Sequence, residues 1–145
     1  MAPAPAPRIL RSLGRYLWAF PTTLLGLTLV ALALVSRGRA SRVAGTIEAH
    51  GGWAAWLLER AVSGRGGADA LTLGHVIVGQ SAESLRRNRD HERIHVRQCE
   101  RWGPFFVPAY LAAGLWAAAH GGDSWADNWF ERDVRDCLPR TYLPD

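Results

Sequence analysis

An uncharged segment near the N-terminus limits the folds open to this chain more than any other feature. Residues 16–35, YLWAFPTTLLGLTLVALALV, are twenty consecutive positions without a charged side chain. About 20 apolar residues suffice for a helix to cross the hydrocarbon core of a bilayer. Tyr16 and Trp18 stand at one end, where aromatic side chains favour the membrane interface. The segment predicts an uncleaved transmembrane helix over 16–35 in a single-pass membrane protein.

Two other interpretations of this segment are less favoured. A signal peptide has an apolar core of about 7–15 residues, and the stretch SRGRAS that follows this longer run contains two arginines. A helix buried in a small domain would need covering on all sides, which a chain of 145 residues cannot easily supply. The orientation of the helix is not readable, because three arginines flank it on each side.

Composition bounds the rest of the chain. With 145 residues, 48% of them hydrophobic, the chain supports one domain with a modest core. All 17 basic residues are arginine, a usage typical of a GC-rich bacterial genome. The expected location is therefore the bacterial inner membrane. The net charge is +4, but the arginines are dispersed and no basic-aromatic motif is present, so no nucleic-acid partner is predicted. Two cysteines without a CxxC do not make a disulfide framework.

The predicted organisation has four parts. A disordered tail over 1–15, rich in proline and alanine, precedes the transmembrane helix. A small domain follows over 43–137, and a C-terminal tail covers 138–145. The predicted fold class is α+β and mainly helical, with a short sheet beside the helices.

Two short runs predict the strands of that sheet. Residues 43–52 form a weak strand that ends at paired glycines, and 70–80 are rich in Val, Ile, Leu and Thr between glycines. If 70–80 is one strand, Leu73, His75 and Ile77 share one of its faces. An extended peptide can bind to the exposed edge of such a sheet as an added strand.

Helices are predicted around the strands. Residues 53–62 have helical composition, and a long helix after residue 80 ends at Gly103-Pro104. The apolar run 104–119 predicts a buried or interfacial helix, with a second membrane span as the alternative. Residues 128–137 predict a short closing helix.

The stretch RDHERIHVRQCERWGPFF, residues 89–106, carries the side chains that suggest chemistry. Residues four apart share a helix face, so His91 and His95 point the same way, as two imidazoles that bind one metal ion must. Glu92 lies about 100° round the helix, beside such an ion. Zinc (Zn²⁺) lowers the pKa of water to about 7, and Glu92 is placed to take the proton as general base.

A catalytic zinc ion takes three protein ligands and keeps one open position. Six side chains after the motif are candidates for the third ligand: His120, Asp123, Asp127, Glu131, Asp133 and Asp136. Glu131 is preferred, because its predicted helix carries two aromatic residues that can bury it. Asn128 and Glu131 also fit a capping box, in which Glu131 would bond the Asn128 backbone. If Ser124 or Asp127 caps the helix, Glu131 is free to bind metal.

Each of the remaining polar candidates has a plainer interpretation. His91 and His95 could be a solvated surface within an arginine-rich helix. Gln98 could orient a ligand from outside the coordination sphere or be a surface amide. His75 could point at the site, although a lone strand histidine is more often a hydrogen-bonded core residue.

The motif HExxH with a glutamate on a later helix resembles the gluzincin group of zinc metallopeptidases. The resemblance implies a zincin-like domain with an HExxH helix, in which His91, His95 and Glu131 bind zinc and Glu92 is the base. TLGHVI, HERIHVRQCERWGPFFVPAY and DNWFERD also look like a family of short, uncharacterised bacterial membrane-associated proteins.

Two functions are therefore expected. The first is a membrane-anchored, zinc-dependent metallopeptidase-like protein, with the membrane and a peptide or protein substrate as partners. The alternative is a non-enzymatic membrane-associated protein with structural histidines or a structural metal. Metal content distinguishes the two.

Overall fold

The computed structural model describes residues 8–61 and 68–139. The fold is α+β and mainly helical, with one four-stranded sheet. Its elements in chain order are α1 (Arg8–Trp18), α2 (Phe20–Val35), β1 (Arg39–Val43), β2 (Thr46–His50), α3 (Gly52–Ala61), β3 (Ala70–Leu73), β4 (Val76–Gly79), α4 (Ala82–Trp102), a 3-10 turn (Gly103–Phe105), α5 (Phe106–Ala119) and α6 (Trp129–Cys137).

The sheet has the order β1-β2-β4-β3. β1 and β2 form an antiparallel hairpin, β2 pairs with β4 in parallel, and β3 pairs with β4 antiparallel. The parallel pair requires a crossover, which α3 provides. This order puts β3 at an edge of the sheet.

The strand predicted over 70–80 is a β-hairpin. Gly74 has a φ of +63°, a conformation that glycine adopts without strain, and it turns the chain between β3 and β4 together with His75. Leu73 pairs with Val76 across this turn. The prediction that Leu73, His75 and Ile77 share one strand face is therefore wrong, because His75 lies in the turn and not in a strand.

Helices cover both faces of the sheet. Alternate strand residues point to opposite faces, and one face packs against α2 and α3 through a cluster of Val30, Ala33, Ala49, Ala54, Leu58, Val76 and Val78. The other face lies against α4, where Ile77 packs with Leu85 and Val96. The first of these clusters makes α2 part of the same core as the sheet, so this core begins before residue 43.

The prediction of a transmembrane helix over 16–35 is wrong, and so is the single-pass inner-membrane location that depended on it. The segment is divided between α1 and α2, with Ala19 between them and Pro21 in the first turn of α2. Proline has no N–H to continue a helical hydrogen-bond ladder. The sixteen residues of α2 span about 24 Å, less than a hydrocarbon core of about 30 Å. None of the helices within 8–61 and 68–139 is both long and apolar enough to cross a membrane.

One side of α2 approaches the sheet very closely. A Cβ on Gly26 would lie 2.6 Å from the Cβ of Val76, so only glycine allows this contact. The opposite side of the helix leaves Leu24, Leu25 and Val35 exposed. The uncharged helix α2 therefore has one face covered by the sheet and the other exposed. The prediction from sequence assumed that such a helix must be covered on all sides.

The predicted tails are only partly within the described structure. Residues 1–7 and 140–145 lie outside the described residues. Residues 8–15 of the predicted disordered tail belong to α1. The apolar run 104–119 forms the 3-10 turn and α5, whose fourteen residues pack through Phe106 against Cys99 and Phe130.

A largely buried ion pair fixes α4 on the sheet. Arg89 donates two hydrogen bonds to Glu48, from Nε to Oε1 over 2.9 Å and from Nη2 to Oε2 over 2.7 Å. The Glu48 side chain is only 4% exposed, whereas that of Arg89 is 33% exposed. Loss of the arginine would therefore leave a buried carboxylate without its cation.

We expect Arg89→Met to lower the free energy of unfolding by about 2 kcal/mol, less than the ~3–5 kcal/mol of a fully buried pair because Arg89 is partly screened by solvent. Urea denaturation measures the change. Glu48→Leu combined with Arg89→Met should recover most of it, since no buried charge remains. Arg87→Met is the control, because its pair with Asp69 is exposed and should matter little. Equal losses for Arg87→Met and Arg89→Met would contradict this account.

The two cysteines have opposite environments. Both are free thiols; Cys99 is buried and Cys137 is exposed. Burial raises the pKa of Cys99 to about 12, so its reactive thiolate form is scarce at neutral pH. We expect a disulfide reagent at pH 8 to modify Cys137 quickly and Cys99 only after denaturation. Rapid modification of two thiols per native chain would show that the α4–α5–α6 core is not closed.

Candidate metal centre

Helix α4 presents the motif histidines. Ser81 caps its N-terminus by accepting a hydrogen bond from the Ser84 backbone N–H over 3.1 Å. The helix continues unbroken to Trp102, which keeps His91 and His95 one turn apart on one face. Their Nε2 atoms lie 3.1 Å from each other.

Helix α6 brings Glu131 to the same place. Asn128 caps this helix by accepting a hydrogen bond from the Phe130 backbone N–H. The Asn128 backbone N–H donates to the carbonyl of Trp125, so Glu131 does not complete a capping box. Asn128 is thus the cap, and the Glu131 carboxylate is directed towards the histidines of α4 instead.

Four donor atoms converge between the two helices. The Glu131 Oε2 atom lies 3.2 Å from His91 Nε2, and Oε1 lies 3.2 Å from His95 Nε2. His91, His95 and Glu131 are a group of side chains that could hold one metal ion. Four donors bound to zinc at about 2.0–2.1 Å in a tetrahedron are about 3.3 Å apart. The two Nε2 atoms, 3.1 Å apart, and the 3.2 Å contact of each Nε2 with one of the two Glu131 oxygens are close to that spacing.

One of these atoms, Oε2 of Glu131, lacks a hydrogen bond within the described part of the chain. Glu131 is 2% exposed, and its Oε2 has no hydrogen-bond partner among the described residues. The His91 Nε2 atom lies 3.2 Å from it, an ion-pair distance. Because a buried carboxylate oxygen without a hydrogen bond is costly, this atom fits a position for a bound cation.

Gln98 fixes the tautomer of His95. Its Nε2 donates to the Phe130 carbonyl over 3.1 Å and to Asp133 Oδ2 over 2.8 Å. The amide oxygen must then be the atom that faces His95 Nδ1, at 2.8 Å. His95 Nδ1 therefore carries a proton, and in the neutral ring the lone pair of Nε2 faces His91 and Glu131.

Charges within the group shift its pKa values. Burial alone would raise the pKa of Glu131, but the neighbouring imidazoles of His91 and His95 lower it well below its usual range. Burial alone would lower the pKa of His95, but the Glu131 carboxylate outweighs that effect and raises it. The carboxylate is therefore ionised at neutral pH, as a metal ligand must be.

Glu92 lies on the sheet side of the same site. Thr72 of the edge strand β3 donates a hydrogen bond from Oγ1 to Glu92 Oε2 over 2.6 Å. Burial raises the pKa of Glu92, and the opposing influence of His95, Thr72 and His91 is smaller. A carboxylate with a raised pKa beside a group of side chains that could hold a metal ion has the properties of a general base.

Sequence reasoning missed Tyr110 and Thr72. Tyr110, on α5, donates a hydrogen bond from its hydroxyl to Glu131 Oε1 over 2.5 Å. No sequence spacing between the motif and either residue identifies it as part of the site, because each reaches the site from a different element. The only signals were that Tyr110 is a polar aromatic residue within an apolar run and that Thr72 lies in a predicted strand.

The other candidate ligands are not members of the group. Asp133 accepts the hydrogen bond from Gln98, and Asp127 accepts from the Asp123 backbone N–H. His120 is exposed and stacks on Trp116, and Asp136 is also exposed. These residues lie beside the group or outside it.

His75 is also outside the group. Its Nε2 atom lies 3.1 Å from Glu100 Oε1, and its ring stacks on Tyr16 at 4.0 Å. Its backbone N–H donates to the Thr23 hydroxyl. These contacts fasten the β3–β4 turn to α2 and α4.

No protein-family model, curated protein or solved structure matches the chain. The resemblance to gluzincins and to the short bacterial proteins is therefore untested and rests on the motif residues alone.

Proposed function

We propose that this chain is a zinc-dependent hydrolase of peptide bonds, in which His91, His95 and Glu131 hold the ion and Glu92 is the general base. The observation that carries the proposal is the convergence of two imidazole nitrogens and a carboxylate oxygen within 4.8 Å of one another, where the buried Glu131 Oε2 has no hydrogen bond among the described residues. Two imidazoles and one carboxylate are a ligand set that catalytic zinc uses. A bound zinc ion would polarise a carbonyl group and make water more acidic.

The residues around the group have separate tasks in this proposal. Glu92 accepts a proton from the attacking water and returns it to the leaving amine, while the Thr72 hydroxyl holds its Oε2. Gln98 keeps the His95 ring in the tautomer that presents Nε2. His91, with its side chain 23% exposed, lies at the solvent side of the group.

The position of β3 suggests how a substrate binds. In the described part of the chain β3 pairs only with β4, so its other edge offers backbone donors and acceptors. An extended peptide can add to such an edge as a further strand. Since Thr72 of β3 contacts Glu92, a peptide on that edge would pass beside the general base.

The test uses the purified full-length chain. We expect one zinc ion per chain by mass spectrometry of the metal, and cleavage of a mixed peptide library detected by peptide mass spectrometry. Treatment with a chelator should abolish cleavage, and added zinc should restore it. A chain that binds no zinc contradicts the proposal. One bound zinc with no cleavage of any library peptide contradicts the hydrolase and favours the structural metal expected as the alternative.

A further inference from the structure

The two oxygens of Glu131 are in different situations. Oε1 accepts the 2.5 Å hydrogen bond from the Tyr110 hydroxyl. Oε2 has no hydrogen-bond partner among the described residues. Hydrogen bonds to a charged carboxylate are about twice as strong as neutral ones. The tyrosine therefore makes the two oxygens unequal as donors to a cation.

The Tyr110 hydroxyl is held in place by the packing of its ring. The ring contacts Phe106 and Phe130, each at 5.9 Å between centroids, and lies edge-on to His95 at 6.0 Å. The Asn128 side chain, which caps α6, also donates to the Tyr110 backbone carbonyl over 3.0 Å. The same asparagine thus ties the helix that carries Glu131 to the helix that carries the tyrosine.

We propose that Tyr110 is a positioning residue that reserves Oε1 of Glu131, so that the carboxylate offers a metal ion only Oε2. This inference rests on the proposed metal centre. A carboxylate can bind a cation through one oxygen or through both. If Glu131 chelated through both, its second oxygen would be an additional ligand that crowds the position a catalytic site keeps open for water or substrate. The tyrosine hydroxyl prevents this by competing for Oε1.

The test uses cobalt(II) as a spectroscopic probe in the full-length chain. Four-coordinate cobalt absorbs visible light more strongly than five-coordinate cobalt. We expect an intense four-coordinate spectrum for the wild type and a weaker, five-coordinate spectrum for Tyr110→Phe, in which Oε1 is released. Azide, a small anion that takes an open position, should bind the variant about tenfold more weakly, the size of effect seen when residues that support metal ligands are removed.

Tyr16→Phe is the matched control. The Tyr16 hydroxyl also donates one hydrogen bond, to the Gly45 carbonyl over 3.0 Å, but it is not part of the metal-binding group. A purely structural role for Tyr110 would lower the melting temperature and leave the cobalt spectrum unchanged. The control should therefore keep the wild-type spectrum and wild-type azide binding.

The outcomes separate this inference from the metal centre itself. If the wild type binds no cobalt, the metal centre is refuted and the inference with it. If the wild type binds cobalt and Tyr110→Phe gives an identical spectrum and azide affinity, only the positioning role is refuted. If Tyr110→Phe does not fold, X-ray absorption of the zinc-loaded wild type shows whether Glu131 binds the ion through one oxygen or through both. One-oxygen binding of the carboxylate supports the role, and chelation through both oxygens overturns it.

Discussion

Replacement of Glu131 with glutamine should lower the zinc affinity of the chain on the order of 100-fold. Apparent zinc-binding free energies in small sites are at least about 10 kcal/mol, so one of three ligands accounts for roughly 3 kcal/mol. Glutamine keeps the size of the side chain and can still accept the bond from Tyr110, so the change removes mainly the charge. Competition with a chromogenic chelator at constant pH measures the affinity.

The control for this variant is Asp136→Asn, which neutralises an exposed carboxylate on the same helix. It should bind zinc as the wild type does. Zinc at a thousandfold excess over its dissociation constant should stabilise the wild type by about 4 kcal/mol, and Glu131→Gln should lose most of that stabilisation. Wild-type affinity in Glu131→Gln would mean that another side chain supplies the third ligand.

The second large effect is expected for Glu92→Gln. This variant should bind zinc normally and hydrolyse peptides about 10²–10⁴-fold more slowly, the range for removal of a general acid or base. The amide keeps an oxygen to accept the Thr72 hydrogen bond but cannot take a proton from water. Zinc content and the rate of peptide cleavage are measured on the same sample.

Asp90→Asn is the matched control for Glu92→Gln, because it neutralises an exposed carboxylate on the same helix. Its rate should equal that of the wild type. If Glu92→Gln retains both zinc and full activity, Glu92 is not the base. If Glu92→Gln loses zinc, the carboxylate belongs to the coordination sphere and not beside it.

The part of the site that could be predicted is the part set by local geometry. Helical periodicity alone puts His91 and His95 on one face, and their Nε2 atoms lie 3.1 Å apart. Glu131 required a further step, because its approach depends on how α6 folds back onto α4. The capping signal at Asn128 indicated where α6 begins, but not whether the Glu131 carboxylate turns to the cap or to the histidines.

Hydropathy gave the wrong prediction for residues 16–35, because the burial of a helix depends on the elements that pack against it. The residues of α2 are uncharged on all sides, but Gly26 packs against the sheet while Leu24 and Leu25 remain exposed. A count of apolar residues does not register that one face of the helix fits β4. Pro21, in the first turn of α2, lies just after the division between α1 and α2, a position where a helix tolerates proline.

Tertiary contacts explain the remaining differences. The turn at Gly74 divides a run that reads as one strand, because apolar residues continue on both sides of it. Tyr110 and Thr72 reach Glu131 and Glu92 from elements distant in sequence. A single sequence holds no spacing rule for such contacts, so only the three-dimensional arrangement identifies these two residues.

The most direct test of the metal centre is an anomalous-difference map from crystals of the zinc-loaded chain, with data collected on both sides of the zinc absorption edge. One strong peak should lie in contact with His91 Nε2, His95 Nε2 and Glu131 Oε2. A map without a peak there, with the two imidazoles hydrogen-bonded directly to the carboxylate, would contradict the account.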